Sequence, residues 1–288
     1  MLHALNLEDT GARTTEDIFT GPSQWMPHGR VFGGQVLAQS IVAASRTLQD
    51  DRLIHSLHGY FLRPGDVNIG VTLGVDRIHD GRSFSTRRVQ TFQDGVPIMS
   101  LIASFQVAQD GVEHQFDMPD DIPDPESLPP VSEYLAGIQH PAAQFWTAAR
   151  PFDIRYLDAP VYLPMDDTGE RVAHQAVWLK AKAKLPDDPV LHRAATAYAS
   201  DYTILEPVLR RHGAAWATPG LKMASLDHAM WWHRPARADE WLLYVEDSPS
   251  AQGGRGLAHA RIYRQDGALA ATVAQEGMLR IPGAESAR

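Results

Sequence analysis

The sequence predicts an α+β fold built from two tandem copies of one module, each a helix followed by an antiparallel sheet. Three observations carry this: an ordered set of residues that recurs once, a helical stripe ahead of each recurrence, and an Asp-Gly pair in each extended stretch that follows. In the first copy His55-Ser56-Leu57-His58 precedes Arg63-Pro64 and then Gln93-Asp94-Gly95. In the second, Ala224-Ser225-Leu226-Asp227 precedes Arg234-Pro235 and then Gln265-Asp266-Gly267. Arg to Gln spans 30 positions in the first copy and 31 in the second. Each mark alone is weak, but three in one order at one spacing point to duplication.

The first helix is read from Val36, Leu37, Ile41, Ala44 and Leu48, which recur at helical spacing after Gly33-Gly34. The second runs from about Val190 to Leu205. Pro189 suits its first turn, Leu191, Ala194, Ala195, Tyr198 and Leu205 form its stripe, and Pro207 ends the pattern. Asp94-Gly95 and Asp266-Gly267 are dipeptides that tight two-residue hairpins favour. Residues 117–130 are acidic and proline-rich, which a packed strand or helix would not tolerate, so they read as a linker. Tyr134, Leu135, Phe145 and Trp146 then predict that the connection packs on a module, and the region of Trp178 and Leu179 reads as the first strand of the second copy. The expected division is an N-terminal module over 1–110, a connecting segment over 111–170, and a C-terminal module over 171–288 that carries the functional residues.

Composition narrows the chemistry. Lys and Arg number 26 against 35 Asp and Glu, a net charge of -9 over 288 residues, which opposes binding to nucleic acid or an anionic membrane. An anionic ligand must therefore be met by local basic groups. The chain has no Cys, which excludes disulfides, thiolate metal sites, iron-sulfur clusters and a cysteine nucleophile. No signal peptide pattern, no long apolar run and no C-terminal Ser-Lys-Leu address is present, so the expectation is a cytoplasmic protein with no membrane partner.

Because one working site suffices for two copies, polar residues on an inward face of one copy are informative. Aligning the Asp-Gly turns at an offset of 172 pairs Met99, Leu101, Ala103, Phe105 and Val107 with Ala271, Val273, Gln275, Gly277 and Leu279. Alternate strand residues share a face, and Gln275 breaks an apolar one. Asp201 similarly interrupts the inward stripe of the second helix, near Ala194, Ala197, Tyr198 and Leu205. Ser225 supplies a hydroxyl. Blander readings stand beside these: an amide satisfying a neighbouring backbone group, a carboxylate at a stripe edge or helix end, and a self-satisfied hydroxyl. Together, however, the three offer a base, a hydroxyl and an amide that could orient and polarise a water beside an electrophilic carbonyl.

Rival chemistries find less support. Ser225, Asp227 and His228 suggest a triad, but on one strand Ser225 and Asp227 point one way and His228 the other. A Gly-x-Ser-x-Gly elbow is missing. His55 and His58 fall on opposite strand faces and no His-Glu-x-x-His occurs, so no metal is expected. Nucleotide-binding glycine patterns are absent too, Gly253-Gly254-Arg255-Gly256 reads as a loop, and no cofactor is expected. Arg82, Arg87 and Arg88 form a basic group with two readings, a phosphate contact or a solvated strand face.

At these residues the chain resembles the type II (TesB-like) acyl-CoA thioesterases over nearly its whole length. The resemblance lies in Val31-Phe32-Gly33-Gly34-Gln35, His55-Ser56, Tyr60-Phe61-Leu62-Arg63-Pro64-Gly65-Asp66, Ser83-Phe84 and Ala103-Ser104-Phe105-Gln106. It continues in Tyr198-Ala199-Ser200-Asp201, Asp227-His228, Met230-Trp231, His233-Arg234-Pro235, Glu240-Trp241-Leu242-Leu243-Tyr244 and Gln275-Glu276-Gly277. The resemblance implies a double hot-dog fold, hydrolysis of fatty acyl-CoA to free acid and CoA, and assembly into a homo-oligomer. The family's catalytic Asp, Thr or Ser, and Gln fall on Asp201, Ser225 and Gln275, where Ser keeps the hydroxyl of Thr and loses a methyl. Two other readings use the same fold: a hydratase or dehydratase of unsaturated acyl-CoA, which usually needs an inward His, and a non-catalytic acyl-CoA binding protein.

Overall fold

The computed structural model describes residues 1–9, 16–163 and 171–283; the end of the connecting segment and the C-terminal Glu-Ser-Ala-Arg lie outside them. The first module comprises β1 (Glu8–Asp9), β2 (Asp17–Gly21), α1 (Gly33–Ser45), β3 (Leu53–Phe61), β4 (Val71–Asp80), β5 (Phe84–Gln93) and β6 (Val96–Gln106). Short helices α2 (Val131–Tyr134) and α3 (Pro141–Gln144) follow. Then come β7 (Phe152–Tyr156), β8 (His174–Ala181), α4 (Pro189–Ser200), α5 (Glu206–Arg211), β9 (Lys222–Ser225), β10 (Asp227–Trp232), β11 (Leu242–Gln252), β12 (Arg255–Arg264) and β13 (Leu269–Arg280).

The strands form one antiparallel sheet in the order β1-β2-β4-β5-β6-β3-β10-β13-β12-β11-β8-β7, with β9 also paired to β13. Its centre is the β3–β10 junction, where Leu57 faces Met230 and Tyr60 faces Asp227. From there, β6-β5-β4-β2 and β13-β12-β11-β8 repeat the same order outward, so the duplication in the sequence is a two-fold arrangement in space. Alternation along each strand buries one face: on β6, Met99, Leu101, Ala103 and Phe105 are buried whereas Ile102 is exposed. The helices α1 and α4 pack on that inner face and on each other, and residues of both modules join in one apolar core.

Several elements differ from the sequence reading for identifiable reasons. Asp94 and Gly95 both have positive φ, as a two-residue hairpin demands, but only Gly267 does so in the second copy. There the turn is one residue longer, closed by Gly267 N–H to Arg264 O and Arg264 N–H to Ala268 O. The second helix ends at Ser200 instead of continuing to Leu205, and Pro207 lies in the first turn of α5 rather than marking a stop. The connecting segment contributes β7 to the sheet edge and buries Leu135 and Phe145. Its acidic part is pinned to the second module by Trp178 Nε1–H to Pro123 O and Trp241 Nε1–H to Glu126 Oε1.

Strands β3 and β10 also align two residues away from the sequence reading, whereas β6 and β13 keep its offset of 172. Leu57 pairs with Ala103, and Ala229 pairs with Ala274, which sets His228 opposite Gln275. The counterpart of Leu57–Ala103 is therefore His228–Gln275, and the counterpart of Ser225 is Ile54, not Ser56. A bulge at His55 in β3 is matched by the break at Leu226 between β9 and β10.

Candidate active site

Asp201 caps the C-terminal end of α4, with φ -87° and ψ 0°. The helix starts cleanly because Asp188 accepts the Val190 N–H ahead of Pro189, and that start fixes which residue falls at its end. A carboxylate at a helix C-terminus meets the unfavourable end of the dipole. Here the N-terminus of α1 offsets it: Gly34 N–H donates to Asp201 Oδ2 at 2.8 Å. The approach is close enough to require both glycines. A Cβ on Gly33 would lie 2.6 Å from Asp201 Oδ2, and one on Gly34 would lie 2.3 Å from the Tyr198 carbonyl oxygen.

The three residues singled out in the sequence converge. Ser225 Oγ–H donates to Asp201 Oδ1 at 3.1 Å, and the Gln275 amide donates both to Asp201 Oδ1 at 2.9 Å and to Ser225 Oγ at 2.8 Å. Burial pushes the Asp201 carboxyl up to about 6, against the pull of Gln275, Ser225 and Gly34, whose hydrogen bonds favour the charged form. Gln275 stands behind the other two: it is 1% exposed and off the cavity wall, whereas Asp201 and Ser225 line a cavity of about 380 Å³. The same cavity is walled by Val31, Phe32, Val36, Met99, Leu205 and Trp216, so residues of both modules enclose it. Trp216 is anchored by Nε1–H to Glu206 Oε1 at 2.8 Å.

One sequence expectation fails. His228 does not point away from Ser225, because the break at Leu226 restores both to the inner face. The ring lies between Gln275 Oε1, close to Nδ1, and Ser200 Oγ, 3.1 Å from Nε2. It is 0% exposed and makes no hydrogen bond to Ser225, so it neither completes a triad nor faces the cavity as a hydratase's histidine would. Asp227 turns outward and accepts the Glu276 N–H. The basic group is likewise dispersed: Arg87 is buried against Thr47 and Asp80, and Arg88 pairs with Asp76. Among the described residues no cluster of His, Cys, Asp and Glu is arranged to hold a metal, and no helix is long and apolar enough to cross a membrane.

Comparison with known proteins identifies the family. Residues 21–106 match the family model of the acyl-CoA thioesterase N-terminal domain, and residues 148–278 match that of acyl-CoA thioesterase. The chain is 40% identical to acyl-coenzyme A thioesterase 8 of Homo sapiens over 96% of its own length and 88% of that protein's. The chain belongs to the acyl-CoA thioesterase family. The crystal structure of the family member TesB2 from Mycobacterium marinum, an acyl-CoA thioesterase II, superposes with a TM-score of 0.77 at 40% identity, covering 99% of this chain and 98% of that one. A protein of hot-dog fold from Alicyclobacillus acidocaldarius, 19% identical, shares the fold with a TM-score of 0.78 over 97% of each chain. The thioesterase is a double hot-dog, with its two inward helices covered by one sheet.

Sequence reasoning missed the contacts of Gly34 and His228 with this cluster. His228 was within reach, since a register two residues different sets it against Gln275. The environment of Asp201 gives a signed expectation. Its carboxyl should titrate near pH 6 when followed by carbon NMR, and Gln275→Leu, which removes a donor to the charged form, should move that midpoint upward.

Proposed function

We propose that Asp201, Ser225 and Gln275 are the machinery with which this thioesterase hydrolyses fatty acyl-CoA to free fatty acid and CoA, by direct attack of water. The observation that carries the reading is the Asp201–Ser225 contact at the wall of a cavity shared by both modules. Asp201 takes a proton from a water that Ser225 orients, and the water oxygen bonds to the thioester carbon. The N-terminal end of α1, which borders the same cavity, is where the carbonyl oxygen and its developing negative charge belong. Collapse of the tetrahedral intermediate breaks the C–S bond, and the departing thiolate takes the proton that Asp201 holds. Gln275 acts from behind, fixing the two groups that meet the water.

Release of free thiol from acyl-CoAs of graded chain length tests this. Folded Asp201→Asn and Gln275→Ala variants should each lose about a hundredfold or more in kcat. Below pH 6, kcat/KM of the wild type should fall about tenfold per unit, because the raised carboxyl of Asp201 must be ionised to accept a proton. Full activity in both variants would discard the site while leaving the reaction.

The exposed rim of the cavity carries His28, Arg30 and Arg63, on a chain whose net charge is -9. Arg30 and Arg63 are the local basic groups an anionic substrate requires, and we assign them to the phosphates of CoA; burial and Arg30 hold the His28 imidazole below its ordinary value, so it offers a neutral ring. Arg30→Ala and Arg63→Ala should raise KM for acyl-CoA several-fold and leave KM for the matching acyl-pantetheine, which lacks phosphates, unchanged.

The same reading places the enzyme in the cytoplasm as a homo-oligomer. Tyr60 and Ile102 are 63% and 48% exposed on the outer face of the sheet beside the β3–β10 junction, an apolar surface suited to a second copy. Light scattering should then report a multiple of the 31.8 kDa chain mass, and a mass of one chain would exclude assembly.

A further inference from the structure

We infer that His228 is a positioning residue that fixes which way the Gln275 amide faces, and through it holds Asp201 and Ser225 in place. Donors and acceptors around Gln275 have to match one to one. An ionised Asp201 only accepts, so the end of Gln275 that faces it at 2.9 Å is the NH₂ group. Both protons of that group are then used, one on Asp201 Oδ1 and one on Ser225 Oγ. What remains is Oε1, an acceptor, and it lies against His228 Nδ1. Nδ1 must therefore carry a proton.

The other ring nitrogen completes the chain. Burial holds the imidazole down at about 4, so the ring is neutral and Nε2 keeps its lone pair. Ser200 Oγ, 3.1 Å away, can give its proton to that lone pair in place of the Ala197 carbonyl. Proton direction thus runs Ser200 to His228 to Gln275 to Ser225 and Asp201, with every donor pointing toward the carboxylate. A flipped amide would place Oε1 against the carboxylate and NH₂ against Nδ1–H. The carboxylate opposes this from the cavity side and Nδ1–H from the buried side, where the first module has the apolar pair Leu57–Ala103. His228 is fully buried and off the cavity wall, so any effect on rate passes through the groups its ring touches, Gln275 on one side and Ser200 on the other.

This inference rests on the proposed site, and the test separates the two. Side-chain nitrogen NMR of the wild-type protein reads the tautomer directly: the Nδ1–H form is expected, and the Nε2–H form would overturn the inference whatever any variant does. Kinetics then compare His228→Leu, which inserts the residue of the symmetric position, with His228→Asn, which is smaller than either but can place an N–H where Nδ1–H stands. In folded protein His228→Leu should lose about tenfold or more in kcat with KM unchanged, and His228→Asn should recover to within a few-fold of wild type. Wild-type kcat in His228→Leu, or equal losses in both variants, refutes the positioning role. If Asp201→Asn is fully active the proposed site falls instead, and the tautomer measurement still decides the orientation of Gln275.

Discussion

A carboxylate held partly out of water at the boundary between two modules is the constraint around which the molecule is arranged. Moving the Asp201 carboxyl from an ordinary 3.8 to about 6 corresponds to roughly 3 kcal/mol against its charged form. Three donors limit that cost, and they come from three places: Gly34 on α1, Ser225 at the end of β9, and Gln275 on β13. Bringing them together needs α1 and α4 in near contact, which Gly33 and Gly34 permit, and it needs the two half-sheets joined at β3 and β10. The duplication is therefore not redundancy. The first module gives the second a helix N-terminus and half of the cavity wall.

What separates the two copies at the proposed site is a small set of positions. Leu57 and Ala103 become His228 and Gln275, and Ile54 becomes Ser225, on strands that otherwise keep the same register. Two polar side chains buried in an apolar layer would each cost about 1–3 kcal/mol if left unpaired. They satisfy one another instead, and Ser200 and Ser225 close the ends of the chain. Gly277, the counterpart of Phe105, matters in the same way: a Cβ there would come within 2.4 Å of Leu205, which lines the cavity.

Much of this was legible in the sequence because it is periodic. Helical stripes, strand alternation and repeated Asp-Gly turns report burial, and burial in two copies revealed the exceptions at Asp201 and Gln275. What was not legible depended on single-residue displacements. The break at Leu226 reverses the parity on which the facing of Ser225 and His228 was judged, and nothing in the local composition announces it. The end of α4 at Ser200 was hidden because the apolar stripe continues to Leu205, even though the chain turns at Asp201. Gly34 was read only as a helix boundary, since its contact with Asp201 spans 167 residues and leaves no local trace.

The hydrogen bonds at Ser225 also bear on why water, rather than the serine, attacks in the proposed reaction. Ser225 Oγ gives its proton to Asp201 and receives one from the Gln275 amide, so one of its two lone pairs stays open, and the proposed reaction uses that one to orient the water. The nearby imidazole is on the far side of Gln275 and cannot serve as its base. Asp201 is differently placed. A carboxylate has about four lone-pair sites. Among the described residues, Oδ1 accepts from Ser225 and Gln275, while Oδ2 accepts from Gly34 alone. The open position on Oδ2 lies beside the N-terminus of α1, so a water bound there would meet its base and the electrostatic partner of the carbonyl oxygen at one point of the cavity wall.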